Sequence, residues 1–430
     1  MLVKKQYSIW FLVLLLIKQT LQCSNPPLLK AAFGELLTDN VNPRIQIKFP
    51  YNRINSAYAN SFVTGSGATI TSSSNLAEVT VGTSSSSAAL ASKYCLSFLA
   101  GQGSEFLGTG IFNASLANST QLLGIGNFNT NTNPTFANIQ DGFFFGYSGT
   151  DFGIIRYRDS TFTPIVKQAD WNVDTMNGAG PSGMTLNPQK GNVYKIQYQW
   201  GFGDVFFFIE NPAIGEFVLV HRLQYPNQFS VTTVLNPSLK PMGVVSSTGT
   251  AAALTLKVCC LTGRIEGSVD PEISTRNSIA SVNTGVALAS PANMYTILAV
   301  QNKNNFNALA NMVEVDLDVV SLFNNGSNTE SAKFTIFLNP SFTPASPTFT
   351  DINASNSVMS YFRGNATSVI DPTSGTQLFT FYLDGGKTSQ VLDLTAMSIF
   401  LAPGDVVAIG AQALSGNGPV TASMSWTELF

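Results

Sequence analysis

Charge is what this sequence has least of. Of its 430 residues, 22 are Lys or Arg and 25 are Asp or Glu, 11% in all, against about 25% in an average soluble protein. The net charge is −3 with no basic block. Binding nucleic acid needs clustered Lys and Arg to neutralise phosphates, so that partner class is excluded. Histidine is almost missing: His221 is the only one. A His-rich metal site cannot be built, and any Ser-His-Asp triad would have to use that residue. Its strand neighbours Phe217, Leu219 and Leu223 make it read as a half-buried structural histidine. No G-x-S-x-G, H-E-x-x-H, P-loop or dinucleotide fingerprint occurs. Beyond residue 17 no apolar run is long enough to span a bilayer.

Cysteine is scarce as well, at four. Cys23 falls at the end of the N-terminal apolar segment. Cys95 lies in YCLSFLA, and Cys259 and Cys260 are adjacent in LTLKVCCLTG. Adjacent strand residues point to opposite faces, so at most one of that pair can meet Cys95. A Cys95 disulfide to Cys259 or Cys260 and buried free thiols both remain open. No spacing fits zinc.

Hydrophobic content is an ordinary 44%, and it is arranged with period two. Between residues 193 and 200, Tyr194, Ile196, Tyr198 and Trp200 alternate with Lys195, Gln197 and Gln199, which predicts a strand with one buried and one wet face. Residues 205–209 and 216–223 flank Asn211-Pro-Ala-Ile-Gly215 and predict a hairpin. Residues 143–147 and 152–158, around Ser148-Gly149, predict another. The Ser/Thr/Gly-rich stretch 64–90 reads as edge strands and loops, and 94–112 as two strands around Gly101-Gln-Gly103. Further on, strands are expected at 294–301, 312–322, 332–338, 377–383, 391–401, 406–412 and 420–428, the last two as a hairpin around Ser415-Gly-Asn-Gly-Pro419. Many short strands with turn signals between them define an all-β chain of sandwiches or jelly rolls.

Five segments follow. Residues 1–23 carry Lys4 and Lys5 before the apolar run 7–17, the pattern of a secretory signal or, if uncleaved, a short membrane anchor. Residues 24–42 form a linker or N-terminal arm. The first sandwich is expected at 43–263, a polar linker at 264–276, and the second sandwich at 277–430. With a secretory route, Asn113, Asn118, Asn325, Asn353 and Asn365 are candidate N-glycosylation acceptors in N-x-S/T sequons.

Two motifs invite chemistry. Glu314-Val-Asp316-Leu-Asp318 puts acids at alternate strand positions, on one face, as sandwich-fold glycoside hydrolases place a nucleophile and an acid/base. The flanking Val313, Val315, Leu317 and Val319 supply a buried face, so the acids read equally as the wet side of an edge strand, and no residue is assigned as catalytic. Asp170, Asn172 and Asp174 resemble the start of a calcium loop, but Thr175 and Pro181 stand where Gly and a bidentate Glu are needed. They are candidate ligands of a structural calcium of another kind; no other cofactor is expected. For a glycan site, which needs an aromatic platform with amide and carboxylate groups, the candidates are Trp171, Tyr147, Asp151, Asn172 and Trp200.

The segments FGELLTDNVNPRIQIKFPYN, DGFFFGYSGTDFGIIRYR, 170–227 and PGDVVAIGAQALSGNGPVTASMSWTELF resemble a family of virion structural proteins of tailed bacteriophages and large DNA viruses. The resemblance spans most of 33–430. It implies a lectin-like (concanavalin-type) antiparallel β-sandwich followed by a jelly-roll-like β-sandwich, serving as capsid decoration, fibre or tail component. It implies no catalytic residues, other virion proteins as partners, and display at the particle surface. Flat β-faces suit a homo-oligomer, and host glycans are the expected ligand class. A secreted cellular adhesin is the alternative, and a glycoside hydrolase using Glu314 and Asp318 a third. Members of that family begin near the FGEL segment, so residues 1–23 are a departure.

Overall fold

The computed structural model describes residues 41–267, 274–343 and 347–430. The expected signal or anchor and most of the N-terminal arm lie outside the described residues. Among these residues the chain is built of antiparallel strands, and four 3-10 turns are its only helical structure. The all-β class expected from the sequence is what the chain adopts.

The first unit is two stacked sheets. One has the spatial order Glu216–Leu223, Val205–Asn211, Asn192–Tyr198, Ser104–Ile111, Leu254–Glu266, Leu76–Val81, Thr69–Ser73, and Val41–Lys48 also pairs with Leu254–Glu266. The other runs Thr161–Lys167, Asp151–Arg158, Ile139–Ser148, Ser119–Phe128, Lys240–Ser247, Ser86–Ser92, Ala59–Gly65. Between them lies the main core, where Phe106, Phe143, Phe145, Tyr194, Ile196, Tyr198 and Phe207 are fully buried. Period-two alternation put them there, and the two expected hairpins pair as read.

The outer faces differ from expectation. Lys195 and Gln197 are not wet: they are 9% and 4% exposed. Glu105, opposite Gln197 on the neighbouring strand, neutralises the charge, pairing with Lys195 at 2.8 Å and with Arg264, while the Lys195 ammonium lies 4.7 Å from the Phe208 ring. On the other sheet Phe144, Leu122, Ile155, Met242 and Val244 form a second apolar cluster. The Phe144 ring lies flat on the sheet because glycines surround it. A Cβ at Gly126 would come within 2.6 Å of its Cζ, and one at Gly142 within 2.6 Å of its Cε2.

The second unit (residues 274–430) also stacks two sheets. The first has the order Thr275–Ala280, Pro419–Leu429, Glu314–Asn324, Thr388–Asp393. The second centres on Met294–Asn302, Val406–Ala413, Ala332–Leu338 and Thr376–Leu383. The chain switches repeatedly between them, in jelly-roll-like fashion, around a core with Trp426, Phe334, Ile336 and Leu317.

Several expectations are corrected. Val406–Ala413 and Pro419–Leu429 are not a hairpin, since each pairs with other strands in a different sheet; the glycine-rich 415–418 turn carries the chain across the sandwich. Residues 391–401 are not one strand but Thr388–Asp393, a 3-10 turn and Phe400–Leu401. The expected linker at 264–276 is shorter, because Leu254–Glu266 runs straight through its start and Thr275–Ala280 takes its end. In 94–112 only Ser104–Ile111 is a strand. The stretch 64–90 contributes inner strands too, Ser86–Ser92 being buried throughout.

Candidate functional site

The two units meet through a short run that follows Ser86–Ser92. Lys93 Nζ pairs with Asp405 at 2.7 Å, Tyr94 Oη donates to Phe400 O at 3.4 Å, and the Cys95 N–H donates to Glu314 Oε1 at 2.8 Å. Asn131 Nδ2 adds bonds to Asn304 O (3.0 Å) and Asn311 O (2.7 Å). Cys95 packs its sulfur 3.5 Å from Met312 Sδ, so it is a buried free thiol; Cys259 and Cys260 are free as well.

Beside this contact opens a cleft of about 1120 Å³. The strand Val41–Lys48 forms one wall along its outer length, residues 94–102 form another, and Glu314, Phe400 and Phe430 of the second unit face them. The lining combines aromatic rings (Tyr51, Tyr58, Tyr94, Phe98), amides (Gln46, Asn55, Gln102) and the cations Arg44, Lys48 and Arg53. Apolar walls with a few converging polar groups are the usual make-up of a small-ligand site.

Local sequence explains the presentation. Ile45, Ile47 and Phe49 point inward and are buried, so Gln46 and Lys48 point out. A bulge between Pro43 and Ile45 sets Arg44 apart from the ladder. Pro50 then turns the chain, and Tyr51 follows at φ +59° with 95% of its surface exposed. Left-handed backbone is uncommon for a bulky residue and costs about 1 kcal/mol or more. Here it aims a ring at the cleft mouth that nothing in the fold packs against.

Glu314 is the one acidic side chain in the described lining. Burial pushes its pKa up to about 7, against the Cys95 N–H bond and the charges of Arg44 and Lys240, which lower it. Asp316 is raised to about 6 by burial and by Asp318. The strand Glu314–Asn324 is not an edge strand but lies between two neighbours. Its register shifts between Leu317 and Val319, so Asp318 sits on a bulge, accepting from Thr427 Oγ1 at 2.8 Å. The three acids therefore do not share one open face.

The sequence-derived glycan residues are not brought together. Trp171 is 4% and Tyr147 7% exposed, both packed edge-on against Phe152 in the core. Trp200 is half-buried, donating to Val234 O and lying 5.4 Å from Phe98. Asp151 pairs with Lys167 at 3.0 Å. Exposed Asn172 brackets Arg222, accepting from its N–H and donating to its carbonyl. The calcium candidates are dispersed likewise. Asp174 is buried and takes the N–H groups of Met176 and Ser182, both at 2.8 Å, while Asp170 is exposed in a 3-10 turn. The loop is held by backbone donors that satisfy the one buried carboxylate. His221 is buried as a structural residue, its Nδ1 accepting from the Asn172 N–H at 3.2 Å, and burial lowers its pKa. Of the sequon asparagines, Asn118, Asn325, Asn353 and Asn365 are exposed and Asn113 is half-buried.

No protein-family model matches the sequence, and no curated protein does. Among solved structures the chain is similar to basic winged bean lectin in its complex with Tn-antigen, at 11% identity and TM-score 0.33, over 51% of this chain and 98% of the lectin. It is similar to lectin II from Ulex europaeus at 11% identity and TM-score 0.34, over 53% of this chain and 100% of that one. A native glycosidic hydrolase matches at 11% identity and TM-score 0.34, over 54% and 100%. By its own strand order the fold is an antiparallel β-sandwich joined to a jelly-roll-like one.

Proposed function

We propose that this protein is a non-enzymatic glycan-binding protein displayed at a surface, and that the cleft between its two sandwiches is the binding site. The observation that carries the reading is Tyr51: a fully presented aromatic ring, on strained backbone, at the mouth of a cleft whose other groups are amides, hydroxyls and guanidinium ions. Sugars present an apolar face and a rim of hydroxyl groups, and that lining complements both. The described lining offers one acidic side chain, where glycoside hydrolysis uses two flanking the scissile bond, which supports binding over cleavage. The resemblance to virion structural proteins favours a particle surface as the place of display, with other virion proteins and further copies of the chain as neighbours; a secreted adhesin would use the same cleft.

The test is a glycan array probed with the full chain, its Tyr51→Ala and Tyr58→Ala variants, and Glu314→Gln. Retention that the tyrosine variants lose at unchanged melting temperature is the expected result. Retention on no glycan sinks the proposal, and release of reducing sugar that Glu314→Gln abolishes replaces it with the hydrolase.

A further inference from the structure

The charges of the cleft are lopsided in a chain that spreads its few charges sparsely. Between Asp39 and Glu78 the sequence has no acid, and its only charged residues there are Arg44, Lys48 and Arg53. All three line the cleft. Elsewhere several cations are closely neutralised, Lys93 by Asp405, Lys195 and Arg264 by Glu105, Lys257 by Glu78, and the cleft is where three without an ion pair stand together. Among the described residues Arg44, Lys48 and Arg53 hold no carboxylate. Their strand explains why they stay apart from the sheet, since Ile45, Ile47 and Phe49 take the inward positions and the bulge releases Arg44. The one acidic side chain opposite them, Glu314, feels the charge of Arg44 without forming an ion pair with it, and gives its Oε1 to the Cys95 N–H. Three cations without an ion pair, grouped in an aromatic-lined cleft, make a receptor for an anion carried on an apolar-faced ligand.

We propose that the cleft selects acidic glycans, saccharides bearing carboxylate or sulfate groups, with Arg44, Lys48 and Arg53 taking the anion and Tyr51 and Tyr58 the sugar face. The assignment rests on the glycan-binding reading above and deepens it. Guanidinium groups suit both anions because their paired N–H donors match two oxygens of a carboxylate or sulfate.

The experiment measures binding of the full chain to immobilised polygalacturonate, a sulfated heparin fragment and neutral dextran, at two salt concentrations. The same is done for an Arg44→Gln/Lys48→Gln/Arg53→Gln variant and for Tyr51→Ala. Acidic glycans should bind roughly tenfold or more tightly than dextran, an advantage lost in the triple variant and reduced by salt, while Tyr51→Ala weakens every glycan that binds. Equal affinity for neutral and acidic glycans overturns the anion assignment and leaves the glycan reading standing. Acidic glycans held equally well by the triple variant overturn it too, placing the anion contact elsewhere. Binding to none of the three, with none on the array, removes both.

Discussion

The carboxylate of Glu314 accepts the backbone N–H of Cys95 at 2.8 Å, tying the second sandwich to the first inside the cleft. The bond joins residues 219 apart in sequence and holds a buried, readily protonated group against the contact between the units.

Stability should therefore fall as pH rises from about 4.5 to about 7. The native state keeps the Glu314 proton through that window because burial raises its pKa to about 7, whereas the unfolded chain releases it near 4.5. The stabilisation is full below the lower value and gone above the upper, with a span of about 3 kcal/mol at most. Asp316, raised to about 6, acts in the same direction. Urea denaturation at pH 5 and pH 8 measures the difference, and Glu314→Gln should remove most of it; an unchanged difference would mean other groups set the slope.

Lys93→Ala should cost about 3 kcal/mol, because it strands the buried Asp405 carboxylate without its cation. Asn339 Nδ2 and the Ala402 N–H still reach that group, so the second unit should stay folded and the loss should appear as uncoupling. Scanning calorimetry is expected to show two transitions in the variant where the parent shows one. A single transition at the parent temperature would count against the pair as a coupling element.

Gly126→Ala should destabilise by about 1–3 kcal/mol, since its Cβ would meet Phe144 Cζ at 2.6 Å and Asp141 O at 2.7 Å. Phe144→Ala should cost about 3–5 kcal/mol by emptying the same face. Denaturant midpoints read both, and a neutral Gly126→Ala would show that the strands separate more easily than their packing implies.

Trp171 and Tyr51 should part company. Trp171→Ala removes a core side chain and should cost about 3–5 kcal/mol while leaving any glycan affinity of the folded protein intact. Tyr51→Gly suits φ +59° better than tyrosine does, so it should hold or slightly raise the melting temperature while weakening binding. Parallel melting and binding curves decide it, and a Tyr51→Gly protein that melts much lower would make Tyr51 structural.

The strands were legible where one period governed them. Asn192–Tyr198 alternates cleanly, and Glu216–Leu223 is an apolar run after a turn; the structure places both within a residue or two of the reading. Burial of the outer faces was not legible, because Lys195 and Gln197 look wet until Glu105 and Phe208 arrive from other strands. The same blindness misplaced the binding candidates: Trp171 and Tyr147 are aromatic and near polar residues in sequence, yet the fold spends them on its core. The turn at 415–418 gives the same local signal whether it closes a hairpin or crosses between sheets, and only the long-range pairing chooses. The cleft draws on residues near 44, 98, 314, 400 and 430, so no local window contains it. One signal was available. Pro50-Tyr51-Asn52 after an alternating strand marks a turn that displays its aromatic ring.

Lys93, Tyr94 and Cys95 continue directly from Ser86–Ser92, a strand hydrogen-bonded on both sides. Force that would pry the sandwiches apart is thus delivered to an interior strand, loaded along its length against two rows of hydrogen bonds. Anchored in that way, the walls resist separation, and a ligand touching both would add a further tie between the two units. For a molecule that must keep its grip while its target is pulled away, the joint then forms part of the wall of the site that grips.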